Sequence, residues 1–134
     1  MNKDNIPKLI DIENHHSDDA DLNVLSFAKN LPFSAKRIFY VENKSKNEIR
    51  GDHAHKECWQ FLIPIYGNFL IYCNNGSKEY EFLLNDKNIG LLIPPFVWAR
   101  QKYLEENNIL LVVTSEEYDP DDYIHDFDNF KDYF

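Results

Sequence analysis

The sequence of 134 residues is poor in glycine, proline, cysteine and positive charge, and each shortage excludes a class of protein. With 4 Gly and 6 Pro, the chain is neither collagen-like nor of low complexity. Its two cysteines, Cys58 and Cys73, lie in apolar runs and form neither a disulfide framework nor a CxxC pair. The chain contains 14 Lys and Arg but 23 Asp and Glu, which gives a net charge of −9. This negative charge disfavours nucleic-acid binding, because it repels the phosphate backbone.

Long apolar runs are missing as well. No stretch approaches the roughly 18 apolar residues of a membrane span, and the N-terminal sequence has no apolar signal-peptide segment. We therefore expect a cytoplasmic protein with neither membrane nor nucleic-acid partners. The sequence is 43% hydrophobic and 15% aromatic, which suffices for the core of one domain. His15 and His16 lie in an acidic segment, and we expect them to be solvated.

Short segments rich in β-branched and aromatic residues follow one another from Leu22 to about Ser115, without a long helix between them. Turn signals separate these segments, of which Asn75-Gly76 is the strongest hairpin signal. Gly67-Asn68 and the stretch 86–88 are further turns. The sequence therefore predicts an all-β domain, an antiparallel sandwich or barrel over residues 22–115. A polar segment, residues 1–21, precedes it.

The C-terminal stretch, residues 119–134, is predicted to form one amphipathic helix. Asp119 is suited to cap the helix, and Pro120 to occupy its first position. Apolar side chains then recur at helical spacing, namely Tyr123, Ile124, Phe127, Phe130 and Phe134. We expect this stripe to pack against the barrel or against a second subunit, and we predict a homodimer.

The pair His53-x-His55 is the most informative motif. In a strand, side chains alternate, so both imidazoles project to one face, where they could bind a metal or move protons. Gln60 and Gly67 follow at spacings that resemble the first cupin motif, with Gln in place of its Glu. The second cupin motif would place a third His near Ala99, which cannot coordinate a metal. The sequence thus resembles a cupin that has lost its metal.

A closer resemblance covers residues 22–134. It rests on motifs that fall in order, namely those of residues 32–40, 50–56, 90–98 and 118–130, together with Gln60. These motifs resemble the bacterial sugar-nucleotide 3,4-ketoisomerases, small cupins that act on dTDP-4-keto-6-deoxyglucose in the biosynthesis of 3-amino-dideoxy sugars. The resemblance implies a cupin-type antiparallel β-barrel (jelly roll), a dTDP-linked 4-keto-6-deoxy sugar as substrate, and neither a metal nor another cofactor.

The resemblance also implies roles for individual residues. His53 is the expected base for the C3 proton, which the C4 carbonyl makes acidic, and an enediolate forms before C4 is reprotonated. His55 would orient this base, relay a proton or polarise the oxygen. Tyr40, on the neighbouring predicted strand, either donates to the enediolate or belongs to the barrel wall.

Binding residues complete the expected site. Arg37, Arg50 and Lys56 are candidates for the diphosphate, because charge-assisted hydrogen bonds offset its lost hydration. Gln60 is expected to face the same cavity as the histidines. Trp98 either stacks on the nucleotide base or packs at the barrel mouth.

This chain departs from the family at positions that face the hexose. It has Asp19-Ala20 where relatives carry Arg-Gly or a tyrosine, and Ala99 where they carry His or Arg. The galacto or gluco configuration of the product at C4 therefore stays open. The alternatives are a 3,5-epimerase-like ketosugar cupin, a non-catalytic sugar-nucleotide-binding cupin and a metal-dependent oxygenase, against which the incomplete ligand set argues.

Overall fold

Short antiparallel strands dominate the computed structural model, which describes residues 5–134. The first part of the chain comprises β1 (Lys8–Asp11), β2 (Glu13–His16), β3 (Asp21–Val24), the short helix α1 (Phe27–Asn30), β4 (Arg37–Asn43), β5 (Glu48–His55) and β6 (Gln60–Tyr66). The second part comprises β7 (Phe69–Asn74), β8 (Glu79–Leu84), β9 (Ile89–Ile93), β10 (Trp98–Tyr103), β11 (Asn108–Thr114), a 3₁₀ turn (Pro120–Asp122), β12 (Tyr123–Ile124) and α2 (Phe127–Lys131).

Ten of these strands form two five-stranded sheets that enclose the core. The first sheet has the order β1-β9-β6-β11-β4, and the second has the order β12-β5-β10-β7-β8. The strands β2 and β3 pair only with each other. Neighbouring strands run antiparallel, as between β11 and β4 or β10 and β5. The predicted all-β, antiparallel architecture of the cupin type is confirmed.

The interior follows from the alternation of side chains along the strands. Alternate residues of β6, β9 and β11 meet those of β7 and β10 in one buried cluster, which includes Leu62, Leu91, Ile93, Leu110, Val112, Phe69, Ile71 and Tyr103. A second cluster covers the outer face of the first sheet, where Ile12 and Leu31 pack with Phe61 and Val113. The predicted turns are confirmed, and Gly76 adopts the positive φ of 94° that the β7–β8 hairpin requires.

Two predicted boundaries are wrong. The barrel does not begin at residue 22, because β1 lies within the segment 1–21 and pairs with β9. Residues 1–4 of that segment lie outside the described part. The predicted helix over residues 119–134 is also wrong: Asp119 caps only a 3₁₀ turn, Tyr123 then begins β12, and a second cap at Asp126 starts α2.

The C-terminal stretch packs on its own domain. Ile124 and Phe130 are buried against Ala54 and Trp98 on the outer face of the second sheet. The apolar stripe is therefore largely covered within the chain, so it does not supply the subunit seam expected from the sequence. No helix among residues 5–134 is long and apolar enough to cross a membrane.

Candidate active site

A β-bulge aims the end of β5 into the barrel. Gly51 and Asp52 have positive φ values of 89° and 61°, and the pairing of β5 with β10 shifts where Ala99 lies opposite His53. A bulge bends the strand and re-aims the side chains beyond it. A Cβ on Gly51 would lie 3.0 Å from the Ala99 carbonyl oxygen, so a side chain there meets both backbone strain and crowding.

Four rings form the centre of the candidate site. Because Tyr123 on β12 lies opposite His55 on β5, the two rings meet with centroids 4.4 Å apart. His53 lies 5.1 Å from His55 and 5.0 Å from Tyr123. His125, just beyond β12, stacks on Tyr123 at 5.3 Å and lies 6.1 Å from His53. We call these four side chains the ring cluster.

A carboxylate fixes the orientation of His55. Asp122 Oδ2 lies 2.8 Å from His55 Nδ1, and Asp122 Oδ1 accepts a 2.7 Å hydrogen bond from the Glu57 backbone N–H. Since an ionised carboxylate only accepts, we assign the Nδ1 proton to His55. Its Nε2 is buried, and no side chain or backbone group of residues 5–134 pairs with it. The lone pair of this nitrogen is thus not used by the described residues.

The surroundings keep both histidines neutral. The pKa of His53 is lowered from 6.5 to about 4, chiefly by burial and further by the neighbouring His55 and His125, while a hydrogen bond to the Gly51 backbone opposes the change. Burial also lowers the pKa of His55, although Asp122 opposes this effect. A neutral imidazole can accept a proton, so both rings are ready to act as bases near neutral pH.

Arg37 lies beside the ring cluster. It points inward from β4, where its Nε donates a 3.2 Å hydrogen bond to Thr114 Oγ1. Its guanidinium carbon lies 5.4 Å from the centre of the Phe39 ring and 5.9 Å from that of Tyr118. Burial raises the pKa of the Tyr123 hydroxyl, and the Arg37 charge opposes that rise. Arg37, the first of the residues predicted to bind the diphosphate, therefore lies at the site.

The other predicted polar residues lie on β5 and β6 or directly after β5. Arg50 pairs with Gln101 on the inward face of β5 and is exposed. Gln60 is buried on β6 opposite Thr114, which also faces inward. Lys56 is exposed, and its Nζ donates a 3.2 Å hydrogen bond to the Asp121 backbone carbonyl.

Two predicted site residues do not reach the ring cluster. Tyr40 lies on the outward face of β4 and is 63% exposed, because alternation gives the inward positions to Arg37 and Phe39. Its proposed donation to an enediolate is therefore not possible within this chain. Trp98 is 5% exposed beneath Phe127, so packing, and not base stacking, is its role here.

Three members of the site were missed in the sequence. Asp122, Tyr123 and His125 had been assigned to the predicted helix, which would scatter them over different faces. A signal was present: Tyr123-x-His125 has the same alternation as His53-x-His55. Read as a strand, the motif places both rings on one face.

Among the described residues, one group of three side chains has the spacing of a metal site. The ligand atoms of His55, Cys58 and Asp122 lie within 4.8 Å of one another. His55 and Asp122 are hydrogen-bonded to each other, and the Cys58 thiol donates to the Trp59 carbonyl at 3.3 Å. Hydrogen bonding thus explains why His55 and Asp122 lie together, whereas Cys58 bonds to neither of them.

Comparison with known proteins gives consistent matches over nearly the whole chain. The family model described as WxcM-like, C-terminal (FdtA) matches residues 5–134. A curated relative from Aneurinibacillus thermoaerophilus, TDP-4-oxo-6-deoxy-alpha-D-glucose-3,4-oxoisomerase, is 36% identical over 105 residues, which are 78% of this chain and 76% of the relative.

Solved structures match equally well. QdtA from Thermoanaerobacterium thermosaccharolyticum, a sugar 3,4-ketoisomerase determined in complex with TDP, is 33% identical with a TM-score of 0.91, covering 98% of this chain and 95% of its own. WlaRA from Campylobacter jejuni, a TDP-fucose-3,4-ketoisomerase, is 31% identical with a TM-score of 0.88, covering 95% of this chain and 94% of its own.

Proposed function

Because this chain belongs to the WxcM-like, C-terminal (FdtA) family and is an enzyme of the sugar-nucleotide 3,4-ketoisomerase class, we propose that it converts dTDP-4-keto-6-deoxyglucose into a dTDP-3-keto-6-deoxyhexose. The observation that carries this proposal is the pair of neutral imidazoles, His53 and His55, aimed into a barrel that also turns Arg37 inward. Such a site can move protons next to a carbonyl while it holds an anion.

The reaction requires the movement of two protons. The C4 carbonyl acidifies the C3 hydrogen, and neutral His53 takes that proton while the electron pair moves into an enediolate. The proton then returns from His53 to C4. The hydroxyl proton on O3 must meanwhile pass to O4, so that C3 becomes the ketone. Electrons are conserved within the sugar, so the step as written needs no redox cofactor.

His55 is suited to the transfer between the oxygens. Its Nδ1–H is held by Asp122, which leaves the lone pair of the buried Nε2 to accept a hydroxyl proton. The carboxylate stabilises the imidazolium that forms transiently, as in other His–carboxylate pairs. In this proposal, His53 therefore transfers the proton from C3 to C4, and His55 transfers the proton from O3 to O4.

Charge complementarity supports a nucleoside diphosphate as the carrier of the sugar. The protein has a net charge of −9, yet two arginines point inward, Arg37 from β4 and Arg50 from β5, the strand that carries both histidines. Guanidinium groups bind phosphate oxygens through paired, charge-assisted hydrogen bonds. Lys56 follows β5 directly, and the buried Gln60 offers an amide to the sugar. A 3-keto product is the carbonyl compound from which 3-amino-dideoxy sugars of surface polysaccharides would be made.

We also propose that the enzyme is a homodimer. β4 is an edge strand of the first sheet, and its outward face exposes Ile38 at 54% and Tyr40 at 63%. Leu22 on the separate β2–β3 hairpin is 60% exposed. Exposed apolar edge strands invite pairing with another chain, and a second copy would cover this one.

The experiment that tests the function is incubation with dTDP-4-keto-6-deoxyglucose in D₂O, followed by NMR. We expect the C4 ketone signal to be replaced by a C3 ketone signal, with no deuterium at C5. Deuterium at C5 would instead identify a 3,5-epimerase-like enzyme. Binding of the substrate without any chemical change would identify a non-catalytic sugar-nucleotide-binding protein, and either result would contradict the proposal.

A further inference from the structure

His125 is the outermost member of the ring cluster. His55 is 4% exposed, His53 is half-buried and His125 is exposed. The three imidazoles therefore form a series from the interior to the surface. Tyr123 supports the outer end of this series, since its ring lies parallel to that of His125 within 6°.

The outer face of His125 borders a cavity. This cavity, of about 390 Å³, is also lined by Lys56, Asn129 and Tyr133. The cavity is open to solvent water, and the centroid of the His125 ring also lies 6.1 Å from that of His53. Two imidazoles whose centroids lie at such a separation can be connected through a single water molecule.

We propose that His125 acts through His53 as a positioning residue that connects the proton on His53 with solvent, an inference that rests on the proposed isomerase function. After His53 has taken the C3 proton, two outcomes compete. The imidazolium returns the same proton to C4, or it first exchanges that proton for one from water by way of His125. The exchange leaves atoms and charge unchanged, because one proton enters for each that leaves.

His125 also acts on His53 electrostatically. When His125 is protonated, its charge lowers the pKa of His53, which favours the neutral base. Both effects require an imidazole at position 125, and an aromatic ring alone would not supply them. Phenylalanine would retain the stacking on Tyr123 but would remove both nitrogens. His125→Phe therefore separates the effect of the imidazole nitrogens from that of the stacked ring.

The test is a single-turnover reaction in D₂O with the substrate carrying protium at C3. We expect the native enzyme to place deuterium at C4 in a large share of the product. In His125→Phe the deuterium fraction should fall at least about threefold, whatever the change in kcat. His15→Phe, at another exposed histidine, is the matched control and should leave the deuterium fraction unchanged.

Other outcomes would overturn the inference. An unchanged deuterium fraction in His125→Phe, with or without a loss of kcat, would mean that His125 is structural. Retention of protium at C4 by the native enzyme would mean that His53 is shielded from water. If His125→Phe fails to fold, His125→Gln replaces it with the same expectation. If the native enzyme does not convert the 4-keto sugar into a 3-keto sugar, the proposed function is refuted, and this inference with it.

Discussion

The side chains of His55 and Asp122, 67 positions apart in the chain, meet in a 2.8 Å contact between Nδ1 and Oδ2. The contact connects the end of β5 with the 3₁₀ turn that precedes β12. The second carboxylate oxygen accepts a hydrogen bond from the Glu57 N–H, so both oxygens of the Asp122 carboxylate are held in place. The carboxylate thereby selects the tautomer of His55 that carries its proton on Nδ1 and its lone pair on Nε2.

Asp122→Asn should therefore slow the reaction. An amide can present its NH₂ to His55 and favour the other tautomer, which would replace the lone pair at Nε2 by a proton. We expect kcat to fall at least about tenfold with little change in KM, as is typical when a histidine loses its orienting partner. Asp121→Asn, in the same turn but without contact to His55, is the control. Equal rates for the two variants would contradict the role of Asp122.

His53→Asn should nearly abolish turnover and leave the fold intact. The removal of a general base typically costs roughly 10²–10⁴-fold in rate, and asparagine preserves a polar side chain of similar size in the half-buried position. Steady-state kinetics and circular dichroism measure the two effects separately. His15→Asn, on the exposed β2–β3 hairpin, controls for the loss of a histidine. A near-native rate in His53→Asn would remove His53 from the mechanism.

The sequence was sufficient to predict most strands between residues 22 and 115 and the histidine pair, because both depend on local patterns. Alternation over a few residues placed His53 and His55 on one face, and Asn75-Gly76 marked the β7–β8 hairpin. The same rule, applied to β4, places Arg37 and Tyr40 on opposite faces, so a single strand cannot turn both into the site. Which of the two faces inward depends on the pairing of β4 with β11, which the sequence of one strand does not fix.

The C-terminal part of the site could not be found in this way. The spacing of Tyr123, Phe127 and Phe130 fits a helix. Tyr123 nevertheless lies in a strand, because it pairs with the distant His55. Long-range pairing overrides local propensity when it satisfies backbone hydrogen bonds and buries side chains, here Ile124. Asp122 and His125 join the site as a consequence of that pairing.

The stability of the fold should decrease in mild acid because of His53. The pKa of His53 is about 4 in the folded protein and 6.5 for an unperturbed histidine, so the unfolded chain binds the proton more readily. The free energy of unfolding should thus fall as the pH drops from about 6.5 to about 4, by at most about 3 kcal/mol from this group. Urea unfolding at several pH values measures the decrease. His53→Asn should show a smaller decrease, and an equal one would contradict the assignment.

Activity should survive exhaustive chelation. The neutral amide of Gln60 and the methyl group of Ala99 occupy the positions at which a metal-binding cupin would carry a carboxylate and an imidazole. His55 Nδ1 is engaged by Asp122 as well. Dialysis against EDTA, then assay and elemental analysis, tests this expectation. Stoichiometric transition metal in the active protein, with activity lost upon its removal and restored by its return, would overturn the metal-free interpretation.

Finally, a charge on the outward face of β4 should separate the proposed dimer. Tyr40 is 63% exposed on an edge strand, and burial of such a ring gives about 25 cal/mol per Å² of apolar area. Tyr40→Glu would place a carboxylate, and its copy, in the interface. The matched control is Leu83→Glu on β8, an edge strand of the other sheet where the leucine is 57% exposed.

Light scattering across a dilution series should give twice the 15.9 kDa chain mass for the native protein and the control, but a single chain mass for Tyr40→Glu. A native protein that stays near 15.9 kDa at micromolar concentration would refute the dimer, and a dimeric Tyr40→Glu would move its interface away from β4.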